Sequence, residues 1–332
     1  MFWNKKKYDL IAIGDTVTDA FIRLKEAHIN TNPSTDTSEI CMKFADKIPY
    51  EFVEVCPAVG NSANAAVSVA RLGLNVAMMT DVGDDQNGNE AITRFKEEKI
   101  ATELVHRHSN FKTNYHYVLW FEAERTILIK HEKYPYILPK FSEPKWIYFS
   151  SLGEHSLPFH KEIEQYLEAH PNVKLAFSPN TFQIKWTNDI LGIYKNTEIF
   201  SCNVEEAGRI LKIESIDIPT LAKGIHALGP KTVLITDGPK GAYASNGTDI
   251  WFMPIYPDIK APYERTGAGD AFFSTFIGAV IHGKSIEEAL TWAPINSMAV
   301  AQEIGAQKGL LSKEKLLEYL KNAPADYKPR KI

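Results

Sequence analysis

Cysteine is scarce. Cys41, Cys56 and Cys202 are the only three in 332 residues, well separated, with no Cys-x-x-Cys and no histidine pair at zinc-ligand spacing. A disulfide-built fold and a cysteine-based zinc finger are thereby excluded, and the three read as reduced packing residues. No apolar run is long enough to span a membrane. Met1 to Lys7 leads straight into the strand-like Tyr8 to Ile13, without the apolar stretch or cleavage site of a secretory signal. The expectation is a cytoplasmic protein with no membrane partner. A preponderance of one charge is missing too: a formal net charge of −4 gives no general reason to expect nucleic acid as a partner. Gly14-Asp15-Thr16-Val17-Thr18-Asp19, after the first apolar segment, lacks the Gly-x-Gly-x-x-Gly of dinucleotide-binding folds, which argues against a dinucleotide-dependent oxidoreductase. Internal repeats and low-complexity segments are also missing.

What is present describes an ordinary globular chain, 44% apolar and 23% charged, able to bury a sizeable core as one large α/β domain or two domains. Tyr8 to Gly14 reads as a buried first strand closed by glycine. From Trp146 onward strands and helices alternate. Strands are expected at Trp146 to Ser150, Val173 to Phe177, Ile199 to Ser201 and Thr232 to Thr236. Helices are expected at His160 to Ala169, Val204 to Leu211, Thr220 to Leu228, Phe272 to His282, Ser285 to Ile304 and Lys313 to Lys321. Repeated β-then-α units imply a mainly parallel central sheet with helices on both faces. Two excursions break the alternation, a polar stretch from Arg23 to Glu54 and a hairpin signature from Tyr115 to Ile129. Together they suggest a small protruding sheet, serving as a lid over a site or as a subunit interface, with its aromatic residues as its own core in the plainer reading.

One stretch organises the chemistry. Thr266-Gly267-Ala268-Gly269-Asp270 runs into a small-residue helix, so its backbone N–H groups lie at a helix N-terminus, where unpaired donors and the dipole favour an anion. Asp270 sits in the first helical turn and could take a proton from a hydroxyl docked beside a transferring phosphoryl group. An ordinary turn with Asp as cap is the bland alternative. Asp19 falls at a strand end, where open α/β sheets place ligand contacts, or simply closes a turn. Gly60-Asn61-Ser62-Ala63-Asn64 opens another small-residue helix. Its two amides could bond a polyhydroxylated ligand or act as caps. Asn203 and Glu206 open a further helix, as a magnesium-organising pair or a capping box. Thr236-Asp237-Gly238-Pro239-Lys240-Gly241 follows an apolar strand, and its glycines would let the backbone approach a nucleotide.

Taken in this order, the motifs resemble the PfkB family of carbohydrate kinases, also called ribokinase-like. Gly60 to Asn64 through Gly73 and Gly83 looks like its first signature, Thr266 to Phe272 its second, Asn203 to Glu206 its Asn-x-x-Glu motif, and Thr236 to Gly238 its nucleotide loop. The resemblance implies a three-layer α/β/α ribokinase-like core over residues 8–322, lid segments near 20–56 and 112–131, and a C-terminal tail at 323–332. It implies an ATP-dependent kinase using Mg2+. Asp270 would be the base, and the amides of Gly267, Ala268 and Gly269 the anion hole. Asp19, Gly60, Asn61 and Asn64 would grip the substrate, and Thr236, Gly238 and Gly241 would line the phosphate side of the ATP site. Asn296 and Gly305 would take the adenine side. Asn203 and Glu206 would hold magnesium through water, and Glu264 with Thr266 a monovalent cation such as K+. A homodimer through the lid is a further implication.

Departures from the family pattern bear on the substrate. Val59 replaces the first of two glycines, Glu264 a more usual Asp, and Arg265 a small residue. Ser178-Pro179-Asn180-Thr181-Phe182 lacks the Asp and Arg that accompany acidic sugars. A small sugar is the leading expectation, with Arg265 either a solvated side chain or a contact for ATP or an anionic substrate. An adenosine-like nucleoside stacked on Phe182 or the aromatic lid is the alternative, and a catalytically silent sugar or nucleotide sensor the third.

Overall fold

The computed structural model describes residues 8–32, 37–122, 124–263 and 265–332. β1 (Leu10–Ile13) is buried at every position, as a strand covered on both faces must be. The chain then leaves the main sheet. β2 (Val17–Leu24) opens a second sheet, β3 (His28–Asn32) and β4 (Thr37–Cys41) form an exposed antiparallel pair, and β5 (Tyr50–Val59) returns along β2. α1 (Asn61–Arg71) follows at once. Its alanine-rich sequence buries nearly every side chain, so it packs as a core helix without a polar face. β6 (Val76–Gly83) re-enters the main sheet; α2 (Gln86–Glu97) is capped by Asp85, whose carboxylate accepts from Gly88 N–H at 2.9 Å. β7 (Ala101–His108), β8 (Asn114–Phe121) and β9 (Glu124–Leu128) complete the first half.

The second half keeps to the expected alternation. It comprises β10 (Trp146–Phe149), α3 (Leu157–Ala169), β11 (Lys174–Phe177), the short α4 (Thr181–Lys185) and α5 (Leu191–Lys195), and β12 (Thr197–Asn203). Then come α6 (Val204–Leu211), α7 (Ile218–Leu228), β13 (Thr232–Thr236), β14 (Ala242–Ser245) and β15 (Ile250–Met253). α8 (Ala268–Ile281), α9 (Ile286–Ala301), α10 (Lys313–Lys321) and β16 (Arg330–Lys331) close the chain.

The main sheet has the order β16-β15-β14-β13-β12-β11-β10-β1-β6-β7. Every neighbouring pair from β13 to β7 is parallel, and β13 through β16 are antiparallel. Alternate residues of β1 feed two cores. Leu10 and Ala12 join the one built by α1, α8, α9 and α10, and Ile11 and Ile13 join the one built by α3, α5, α6 and α7. Helix, sheet and helix make three layers. The second sheet, β5-β2-β8-β9, stands apart as the small protruding sheet, with β2 parallel to β8 and antiparallel to β5.

Two details differ from the sequence reading. β7 is half-exposed and carries two histidines and an arginine near its end, which hid it as a strand. The segment 323–332 is no free tail: Tyr327 is buried and donates to Thr291 O at 2.8 Å, and β16 pairs with β15.

Candidate active site

α1 and α8 lie in the same layer, and their N-termini meet. Gly60 precedes α1 at φ 117, and a Cβ there would stand 2.6 Å from Asp15 O, so the residue must be glycine for the chain to cross β1's exit. Asn61 and Asn64 occupy the first turn. Asn61 Nδ2 donates to Asp270 Oδ1 and Asn64 Nδ2 to Asp270 Oδ2, each at 2.8 Å. Gln307 fixes this arrangement from behind, donating to Ala58 O at 2.6 Å and to Asn64 Oδ1 at 3.1 Å. Gly267 caps α8 in the left-handed region at φ 78, packed against Ala306. Ser297 Oγ holds Ala268 O at 2.9 Å, and Ala268 N–H closes a turn on Arg265 O at 3.3 Å. Gly269 is exposed, with open space where a Cβ would be. The first turn of α8 thus offers backbone donors at the positive end of the helix dipole, with a carboxylate one residue further on.

Burial pushes the Asp270 carboxyl above the usual carboxylate range, and the Asn64 and Asn61 amides act against that shift by favouring the ionised form. Tyr148 lies buried beneath, its phenol raised by burial and then by the nearby Asp270 charge. Glu206 is likewise raised, first by burial and in smaller part by Glu205 and Asp270.

A half-open cleft enclosing about 200 Å3 adjoins the N-terminus of α8. Thr236, Gly238 and Gly241 line one wall, Met253 to Tyr256 another, and Pro294, Ser297 and Met298 of α9 a third, with Arg265 and Gly269 at its end. Apolar walls with donors and a cation at one end suit a flat base carrying phosphates. Gly241 sits at φ 107 where a Cβ would meet Met253 O at 2.5 Å, so glycine is needed for the β13–β14 turn itself.

Asn296, Gly305, Asn203 and Glu206 each make contacts within the fold. Asn296 is fully buried and does not line the cleft; it donates to Thr275 Oγ1 at 2.7 Å and accepts from Leu311 N–H at 2.9 Å, tying α9 to α8 and to the chain before α10. Gly305, at φ 80, lies against Cys56 and Phe21 under the small sheet, away from the cleft. Asn203 and Glu206 form the reciprocal capping box, with Asn203 N–H on Glu206 Oε2 at 2.9 Å and Glu206 N–H on Asn203 Oδ1 at 2.8 Å. The cap employs one Glu206 oxygen and leaves the other. Glu264 lies outside the described residues, and Thr266 sits half-buried beside Gly267.

Asp19 is inside β2 rather than at a strand end, paired in register with His116 of β8 and Cys56 of β5. Its Oδ1 makes no hydrogen bond and lies 3.4 Å from His116 Nδ1. Thr16 Oγ1, Thr18 Oγ1, Asn114 Nδ2 and His116 Nε2 are also buried without protein partners. Buried polar atoms left unpaired are costly, and those of Asp19, Asn114 and His116, which share one face of two adjacent strands, are what a hydroxyl-rich ligand would satisfy, whereas Thr18 alternates to the opposite face. Sequence reasoning missed His116, and also Asp15, whose buried carboxylate accepts from Tyr136 Oη at 2.9 Å and lies 3.0 Å from His131 Nδ1. The alternation Asn114-Tyr115-His116-Tyr117, which points Asn114 and His116 to one face, is the signal that could have found it. Trp120, on that face of β8, packs edge-on against Tyr263 at 5.0 Å, with the Arg23 guanidinium 4.5 Å above its ring. The small sheet is thereby docked on the segment leading into α8.

A mainly parallel sheet covered by helices on both faces, a glycine-capped helix N-terminus with a carboxylate in its first turn, and a cleft beside it make up a kinase of the ribokinase-like fold. The Methanocaldococcus jannaschii nucleoside kinase superposes with TM-score 0.79 at 17% identity, over 96% of this chain and 100% of that one. The Arabidopsis thaliana ribokinase complexed with ribose and ATP superposes with TM-score 0.77 at 20% identity, over 95% and 99%. The pfkB family carbohydrate kinase model matches residues 37–313. The chain belongs to that family and is an enzyme, a carbohydrate kinase. It is 25% identical to the Bacillus subtilis ribokinase over 269 residues, 79% of this chain and 87% of that one. It is 24% identical to an ATP-dependent 6-phosphofructokinase of Thermoanaerobacterium thermosaccharolyticum over 303 residues, 87% and 86% of the two.

Proposed function

We propose that the chain transfers the γ-phosphoryl group of ATP to a hydroxyl of a small neutral sugar, with Asp270 as general base. The observation that carries this is the pair of 2.8 Å amide bonds that hold both Asp270 oxygens at the first turn of α8, beside the cleft. Asp270 takes the hydroxyl proton as the new O–P bond forms and the bond to the ADP oxygen breaks. The amides of Gly267, Ala268 and Gly269 receive the charge of the transferring group, and Arg265 at the cleft's end adds a cation. Thr236, Gly238 and Gly241 line the phosphate path. Asn203 and Glu206 would hold Mg2+ through water, as oxygen donors suit, and the ion would neutralise phosphate charge. Thr266 and Glu264 would serve a monovalent cation such as K+.

Asp19, Gly60, Asn61 and Asn64 would meet the sugar, and the unpaired polar atoms of Asp19, Asn114 and His116 on one face of the small sheet favour a ligand with several hydroxyls. The second reading, a nucleoside acceptor, rests on Phe182, which stacks on Trp186 at 6.2 Å and meets His131 edge-on at 6.3 Å as a ready aromatic wall. The exposed apolar residues Val53, Val55, Tyr117 and Leu128 on the outer face of the small sheet would pair two subunits. Free cysteines accord with a reducing compartment such as the cytoplasm, and among the described residues no helix is long and apolar enough to cross a membrane.

The deciding experiment is an ADP-release assay with ATP and magnesium across ribose, fructose, ketodeoxygluconate, adenosine, inosine and cytidine, with and without potassium. Turnover on a free neutral sugar supports the proposal. Turnover confined to nucleosides replaces it with the second reading, and silence on the whole panel with ATP still bound removes it in favour of a sensor.

A further inference from the structure

Away from the cleft, the ends of β6 and β7 bring together three side chains that the kinase reaction does not use. Asp81 is in register with His106, and His108 lies two residues on along β7, so all three point to one face of the sheet. His108 Nε2 is 2.6 Å and His106 Nδ1 3.6 Å from Asp81 Oδ1, and the three donor atoms lie within 4.8 Å of one another. These separations bracket the roughly 3.3 Å expected between two ligands each about 2.0 Å from a tetrahedral metal. His108 is buried and its ring is fixed, stacked on Tyr134 at 5.1 Å and met edge-on by Phe111 at 5.6 Å. His106 is 55% exposed and lines, with Asp81 and Glu103, a surface pocket that lets solvent in.

We propose that Asp81, His106 and His108 form a binding site for a borderline divalent transition metal, Zn2+ foremost, with the carboxylate, Nδ1 of His106 and Nε2 of His108 as ligands. Two imidazoles disfavour Mg2+ and Ca2+, so the site is chemically distinct from any magnesium held by the kinase centre. Three protein ligands with one exposed leave a coordination position open to water or a small anion. The bound metal would clamp edge strand β7 to β6, so its loading would be read as stability.

The test uses full-length, tag-free protein freed of metal by chelator, titrated with Co2+ and followed by the visible absorption of four-coordinate cobalt, then by Zn2+ displacement. One equivalent is expected, with a melting temperature raised by Zn2+. His106→Ala, exposed and therefore safe for folding, should weaken binding at least about 100-fold, since even outer-shell changes around metals cost 10–100-fold. It should also abolish the melting shift while leaving metal-free turnover unchanged. No cobalt band, or a band that survives His106→Ala, overturns the site. A band lost only when Cys41 and Cys56 become Ser overturns it equally.

Discussion

Asn64 Nδ2 donates to Asp270 Oδ2 at 2.8 Å across 206 residues of chain, and Asn64 Oδ1 in turn accepts from Gln307. A residue that reads as a substrate ligand in the sequence is therefore also a positioning residue for the base.

Replacing Asp270 with Asn keeps the side chain's shape and removes the base. Turnover should fall by about 100- to 10,000-fold with ATP binding retained, as expected for loss of a general base. Near-normal turnover in a steady-state ADP-release assay would sink the assignment of the base.

Asn64→Ala tests the electrostatics. Burial raises the proton affinity of Asp270 and the two amides oppose it, so removing one donor raises it further. Only the ionised carboxylate accepts a proton, and activity is lost as pH falls through its pKa. The acidic limb of the kcat/KM profile should therefore move to higher pH in the variant. An unmoved or lowered limb would mean that Asn64 does not tune the base.

Two neighbouring glycines should behave oppositely. Gly267 has φ 78, and a Cβ there would stand 2.6 Å from Ala306 Cα, so Gly267→Ala should destabilise by about 1–3 kcal/mol or more and distort the anion hole. Gly269 has open space at the same point. Gly269→Ala should keep its melting temperature while lowering turnover, because the added methyl projects into the space where a phosphate would lie. Equal melting temperatures for the two variants would contradict this geometry.

Asn296→Ala should cost about 1–3 kcal/mol, because Leu311 N–H and Thr275 Oγ1 lose a buried partner. KM for ATP should stay unchanged. A KM rise without loss of stability would restore Asn296 to the nucleotide site.

The main fold is legible in the sequence from Trp146 onward because most apolar runs are short and lead into a helix of clear period, as in Thr197 to Asn203 before Val204 to Leu211. The glycine-flanked start of α8 is legible for the same local reason. Asn296 and Gly305 are not, because their roles depend on which neighbours the fold supplies. An amide in a helix of small residues serves a ligand or a tertiary contact equally well until Thr275 and Leu311 are seen to engage it. The cap at Asn203 and Glu206 is visible in the residue types, but their spacing alone does not divide capping from metal binding. β7 escapes notice because its polar residues blur the alternation, and with it goes the meeting of Asp81 with two histidines 25 and 27 residues later in the chain.

The span between Asn64 and Asp270 also has a meaning for biosynthesis. At ribosomal rates of about 5–20 residues per second, Asp270 is polymerised on the order of 10–40 s after Asn64. Throughout that interval α1, nearly all of it destined for the interior, waits without α8 against it. The nascent chain thus carries an apolar, alanine-lined helix covered on its sheet side by β1 and β6 but open on the side of α8 until its last quarter emerges. Translation speed across residues 72–267, and the holding chaperones available then, should govern the yield of active enzyme more than substitutions that alter the stability of the finished fold.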